Sequence, residues 1–208
     1  MSSKSSYLII YNVSSAIAWS IVLVSVVKTY AVHGAESVYP AIGNWTRWTQ
    51  TLAALEVLHS LLGIVRAPLF TTAMQVSSRY LLTWGIVHRY PSVSSSPFYS
   101  TMLLAWSFSE VVRYSYFVAL LSSGDSSPSG FLTRLRYNTF WVFYPLGISS
   151  ECVLVYKATA LCSEVERLAL YAVLAVYVPG SYLLYSHMIA QRRKVMRSLK
   201  AKDEKATR

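Results

Sequence analysis

Two residues able to exchange protons stand seven positions apart in the strongly apolar stretch Arg136–Lys157. They are Tyr144 and Glu151, within Tyr144-Pro-Leu-Gly147-Ile-Ser-Ser-Glu151. On a helix seven positions make nearly two turns, so both side chains fall on one face. A phenol and a carboxylic acid placed this way could pass protons to and from a reacting group lying between them. Even mild insertion scales charge about 2.5–3.5 kcal/mol for an acid at the centre of a membrane helix, so its presence asks for a function. The plain structural alternative is a buried glutamate that only hydrogen-bonds a neighbouring helix.

Other polar side chains interrupt the apolar segments at helical spacing. Glu56 and His59 lie three apart, Gln75 and Arg79 four apart, and Glu110 and Arg113 three apart with Tyr114 beside them. Charges at membrane depth point inward and pair, so the helices carrying them should converge on one polar cavity. Glu110–Arg113 reads first as an internal ion pair that sets packing, and Glu56–His59 as structural. Arg79 and Arg113 could also stabilise negative charge on a bound molecule, because a guanidinium facing a cavity suits a phosphate or a carbonyl oxygen. Gly147, one turn after Tyr144, removes a side chain where a substrate would need room. Pro145 frees a backbone carbonyl nearby, which membrane helices tolerate.

Positioning these residues requires six apolar segments: about Tyr7–Val32, Trp48–Val65, Phe70–Val87, Phe98–Leu121, Tyr137–Ala160 and Leu168–Ile189. Each is long enough to approach or span a bilayer. The links Ala31–Asn44, Arg66–Pro68, His88–Pro97 and Ser122–Arg134 are polar or rich in Gly, Pro and Ser, as turns require. The pattern predicts an all-α, polytopic membrane protein, a bundle of six transmembrane helices. Residues 1–190 form the membrane domain and 191–208 a basic tail. A soluble bundle fits poorly, because the first, fourth and sixth segments are apolar on all faces instead of along one stripe. No internal repeat is visible.

Composition agrees. The 208 residues are 54% hydrophobic and only 13% charged, against roughly 25% charged in soluble domains. Sixteen Tyr and six Trp suit a chain with many residues at the membrane–water boundary. The net charge of +10 is no nucleic-acid signature, since eight of the nineteen Lys and Arg follow residue 191, directly after an apolar span. Such a flank fixes orientation and can touch anionic lipid. With six spans and the tail in the cytosol, inside segments hold twelve cations and outside segments five, so both termini are expected to be cytosolic. Asn44-Trp-Thr46 is a glycosylation sequon on the outer side. Cys152 and Cys162 form no disulfide framework and no metal-ligand spacing surrounds them. No metal site is expected.

The stretches Tyr7–Asn12 with Trp19, Leu55–Arg66, Gln75–Arg79 with Trp84, Trp106–Tyr116, Arg136-Tyr137, Tyr144–Glu151, Tyr177-Val-Pro-Gly, His187-Met and Gln191–Lys194 occur in one order along nearly the whole chain. In these the sequence resembles the very-long-chain (3R)-3-hydroxyacyl-CoA dehydratases of the endoplasmic reticulum, also described as protein-tyrosine-phosphatase-like membrane proteins. The resemblance implies a six-span fold and dehydration of a 3-hydroxyacyl-CoA, the third step of fatty-acid elongation. It also implies Tyr144 and Glu151 as catalytic residues. A long-chain 3-hydroxyacyl-CoA would be the substrate, with no cofactor. The bilayer and the other elongation enzymes would be partners.

For that chemistry Glu151 would take the proton from carbon 2 and Tyr144 would protonate the departing hydroxyl, with the two roles exchangeable. Arg79 or Arg113 would stabilise enolate charge. Arg134 and Arg136, at the cytosolic edge, would meet CoA phosphates. Two departures stand out. The connection Cys162–Arg167 is short for the family. The phosphatase-like pattern reads His59-Ser60-Leu-Leu-Gly63-Ile-Val-Arg66, within a predicted span, and Ser60 supplies no thiolate nucleophile. Two other functions fit inward-facing charges: a small-solute transporter, and a non-catalytic membrane adaptor acting through the basic tail.

Overall fold

A computed structural model describes residues 3–123 and 128–206. Among the described residues every regular element is helical. The longest uninterrupted apolar run, free of Gly and Pro, becomes α1 (Ser3–His33). Gly34, at φ +79°, stops it, with its N–H still reaching the Tyr30 carbonyl at 3.1 Å. A short 3₁₀ turn leads into α2 (Val38–Thr51), and a break at Leu52-Ala53 separates it from α3 (Ala54–Leu61). Gly63, at φ +66°, and Pro68 then turn the chain into α4 (Leu69–Tyr80), which runs on as a π-helical segment, Leu81–Val87.

The longest central helix is α5 (Pro97–Ser122), opened by a proline whose missing N–H needs no partner there. Ser129 caps α6 (Gly130–Asn138), accepting from the Leu132 N–H at 3.3 Å. After a one-residue break at Thr139 comes α7 (Phe140–Thr159), and then α8 (Glu164–Ala206). Residues 124–127, inside the predicted Ser122–Arg134 link, lie outside the described residues, as do 1, 2, 207 and 208.

Several boundaries differ from the sequence expectation: α8 runs from Glu164 past Ile189 to Ala206, so the basic segment from 191 continues the last helix. The second helix starts at Val38, ten residues early, because Pro40 falls in its first turn, where a missing N–H costs nothing. Gly43 then lets the Tyr39 ring lie against the backbone; a Cβ there would come within 2.4 Å of it. The sequon at Asn44 is therefore helical, with Thr46 buried. The phosphatase-like pattern begins in α3 but ends in the turn after it, where Ser60 donates to the Ala67 carbonyl at 2.7 Å.

The helix at the centre is α5, packed against α1 on one side and α7 on the other, while α7 in turn meets α8. Trp19, Val22 and Val26 of α1, Met102 and Leu103 of α5, and Leu154 and Val155 of α7 fill the core with Leu82 and Ile86 of the π-helical segment. Outward faces remain apolar: Ile10, Ile17 and Val24 on α1, and Leu168, Val178 and Leu183 on α8, are exposed. A bilayer would cover such faces. Among the described residues two helices, Ser3–His33 and Glu164–Ala201, are long and apolar enough to cross a membrane. The second is peripheral, its apolar stretch almost wholly unburied.

Candidate active site

Both residues of the opening pair project from α7 toward α8. Seven residues of helix separate their Cα atoms by about 10 Å along the axis. The Tyr144 hydroxyl donates to the Ser181 carbonyl at 3.1 Å, and its ring stacks on Tyr185 with centroids 5.5 Å apart. One α8 turn away from Ser181, the Tyr177 hydroxyl donates to Glu151 Oε2 at 2.9 Å. Tyr177, Ser181 and Tyr185 recur every four residues, so α8 presents one polar and aromatic stripe to α7. Two half-buried groups able to hold and release protons thus share a seam between two helices.

The other oxygen of Glu151, Oε1, accepts from the Trp106 indole N–H of α5 at 2.8 Å. Ser150, next to Glu151, is buried and bonds the Thr101 hydroxyl at 2.7 Å, while Phe108 and Phe143 stack at 4.4 Å. These contacts fix the rotation of α7 on α5, and with it the aim of Glu151. Gly147 sits between them: a Cβ there would lie 3.5 Å from Ala105 Cβ and 3.9 Å from Glu151 Oε1. Gly147 is buried, and its missing side chain lets α7 lie close to α5 at Ala105 beside the carboxylate.

The charges on α3, α4 and α5 gather elsewhere. Arg113 is held by Glu56 through two bonds of 2.7 and 3.0 Å, and its Nε donates to Glu110 Oε2 at 2.7 Å. Glu110 also pairs with Arg79. Tyr114 donates to Glu56 at 2.5 Å, and Tyr7 bonds His59 at 2.8 Å. Two acids and two arginines from α3, α4 and α5 thus cancel within one network. Arg113 is fully committed to carboxylates. Arg79 also lies over the Trp106 ring, 5.1 Å from its centroid, and so touches the group that holds Glu151. Gln75, one turn earlier, is exposed and does not join it.

Arg136 stands apart, in the last turn of α6. Its guanidinium lies over the rings of Tyr116 and Phe117 at 4.7 and 4.6 Å and reaches the Arg113 carbonyl at 3.5 Å. Among the described residues, no Lys, Arg or His lies within ion-pair distance of Glu151; the two groups that donate to it, an indole N–H and a phenol, are neutral. Sequence reasoning assigned no role to Trp106, Tyr177, Ser181 or Tyr185. The four-residue spacing on α8 was the available signal.

Residues 50–198 match the family described as protein tyrosine phosphatase-like protein, PTPLA. A relative from Schizosaccharomyces pombe, named probable very-long-chain (3R)-3-hydroxyacyl-CoA dehydratase, is 39% identical over 96% of this chain and 97% of its own. Very-long-chain (3R)-3-hydroxyacyl-CoA dehydratase PASTICCINO 2B of Oryza sativa is 39% identical over 94% and 95%. Very-long-chain (3R)-3-hydroxyacyl-CoA dehydratase 2 of Homo sapiens is 32% identical over 91% and 80%. No solved structure matches the chain. With a family match across most of its length and relatives that align nearly end to end, the chain belongs to the protein tyrosine phosphatase-like, PTPLA, family.

Proposed function

We propose that this protein removes water from a long-chain (3R)-3-hydroxyacyl-CoA to give the trans-2-enoyl-CoA, the third step of very-long-chain fatty-acid elongation. The relatives' names supply the substrate class. The observation that carries the assignment of residues is the shared aim of Tyr144 and Glu151 at the α7–α8 seam.

The chemistry follows from what elimination needs. Glu151, ionised, takes a proton from carbon 2, which the thioester carbonyl acidifies. The electron pair left behind forms the double bond as the carbon–oxygen bond at carbon 3 breaks. Tyr144 gives its proton to the leaving hydroxyl, which departs as water. One base and one acid on neighbouring carbons balance the reaction. Moving the proton held by Glu151 back to the tyrosinate resets the pair. To act on substrate, the Tyr144 hydroxyl exchanges its bond to the Ser181 carbonyl for one to the substrate hydroxyl.

Arg79, the guanidinium that lies over Trp106, is the one we assign to charge on the thioester oxygen. Arg113 contributes through the ion-pair network that seats Arg79. Arg136, at the cytosolic end, meets the CoA phosphates together with Arg134. We assign Gly147 to the wall of the site, where an added methyl would touch Ala105 and Glu151. The acyl tail lies among apolar helices, which accounts for a long-chain dehydratase being in a membrane.

The same reading places six spans in the endoplasmic reticulum membrane, α3 and α6 completing the second and fifth, with both termini cytosolic and the other elongation enzymes as partners. The contacts are compatible with that alternation. Tyr7–His59, Glu56–Arg113 and Arg192–Asn138 gather at one end of the bundle, and Arg89–Glu166 forms at the other.

The direct experiment is the purified protein with a 3-hydroxyacyl-CoA in detergent or nanodiscs. Enoyl-CoA should form with wild type and vanish in both Tyr144→Phe and Glu151→Gln, each still folded. Absence of product from the wild type across acyl lengths sinks the enzyme reading. A solute-flux assay in vesicles would then decide between transporter and adaptor.

A further inference from the structure

A carboxylate on a helix has free rotation about its last bonds unless something holds both oxygens. At Glu151 two different helices do so: α5 through the Trp106 N–H on Oε1 at 2.8 Å, and α8 through the Tyr177 hydroxyl on Oε2 at 2.9 Å. Hydrogen bonds to an ionised acceptor are among the stronger ones, and one donor at each oxygen fixes the plane of the group. Each oxygen keeps a second lone pair, so the clamp orients the base without consuming it.

The clamp is itself supported. Trp106 is 3% exposed, and its ring carries the Arg79 guanidinium on one face. Arg79 is tied through Glu110 to Arg113 and so to Glu56. A cation over an indole is attracted by the ring and fixes the tilt at which its N–H points. On the other side Tyr177 stands two residues before Pro179, where α8 loses one backbone bond. The two donors therefore come from one rigid, charge-braced helix and one peripheral helix.

We infer that Trp106 and Tyr177 are positioning residues that hold the Glu151 carboxylate at the angle needed for proton removal, and that neither touches the reacting carbons. The inference rests on the assignment of Glu151 as the base, and it deepens that assignment. Small misplacement of a catalytic group costs rate out of proportion to the movement, on the order of 100-fold for about 1 Å. The clamp should thus appear in kcat and leave substrate binding alone.

The experiment compares Trp106→Phe and Tyr177→Phe with Glu151→Gln, using Tyr182→Phe as a control because Tyr182 is exposed on α8. Turnover, KM and release of tritium from carbon 2 of a labelled 3-hydroxyacyl-CoA are measured beside the unfolding midpoint. The expected result is a fall in kcat and in tritium release of about 10- to 100-fold for each clamp variant. KM should stay within about twofold, with the unfolding midpoint close to wild type and the control unaffected. If Glu151→Gln is inactive while both clamp variants turn over normally, the positioning role is overturned and the base assignment survives. A loss of kcat that only tracks a lowered unfolding midpoint overturns it as well, since that is the mark of a structural contact. Full activity in Glu151→Gln instead removes the base assignment itself, and the clamp falls with it.

Discussion

Glu110 and Glu151 are both acids on helices of one apolar bundle, and the protein treats them in opposite ways. Glu110 is gripped by two arginines, and the network that includes Glu56 closes with its charges balanced. Glu151 is met by an indole and a phenol, neither carrying charge. Paired charges in a low-dielectric region lower each other's energy and lose the freedom to exchange protons. A carboxylate held only by neutral donors keeps its place and can still act as a base. The first region sets the fold and the second leaves a reactive group accessible along a helix seam. The difference lies in the partners, not in the residue type.

The comparison breaks most visibly if acids from the two regions are exchanged in their consequences. Neutralising the seam with Glu151→Gln or Tyr144→Phe should cost about 10²- to 10⁴-fold in turnover, the range that general acid–base groups contribute, with the unfolding midpoint unchanged. Turnover against thermal unfolding in the same preparation checks this. Cutting the network with Arg113→Leu should do the reverse. It strands Glu56 and Glu110, and breaking such a pair costs about 3–5 kcal/mol, seen as loss of folded protein in detergent. Any activity that remains should belong to the folded fraction.

Smaller effects sharpen the same contrast. Gly147→Ala places a methyl group in ordinary contact with Ala105 and beside Glu151. Stability should change by no more than about 1 kcal/mol. KM should rise, because the added group occupies space the substrate needs; a Michaelis analysis with two acyl lengths measures this. The least effect is expected from Arg89→Ala. Its bridge to Glu166 is exposed, and such pairs contribute little. Unchanged turnover and unfolding temperature would mark that end of the bundle as outside both regions.

Much of this was legible from the residues. Apolar runs without Gly or Pro predicted α1 and α5 to within a few residues, and the seven-residue interval put Tyr144 and Glu151 on one face of α7. The start of α2 was not legible, because Pro40 and Gly43 are turn residues by type. Only the packed Tyr39 ring and the position of Pro40 in a first turn make them helical. Partner choice was harder still. That Arg113 turns to Glu56, 57 residues away, and that Trp106 and Tyr177 converge on Glu151 depend on helix register and rotation, which no local pattern encodes.

The central claim is that one carboxylate, Glu151, removes the proton at carbon 2 while Tyr144 serves the departing hydroxyl. Release of tritium from carbon 2 of a (3R)-3-hydroxyacyl-CoA into water, followed for wild type and folded Glu151→Gln side by side, tests it most directly. The account predicts that label appears in water together with enoyl-CoA for the wild type and is absent for the variant. Release by Glu151→Gln at the wild-type rate would contradict it.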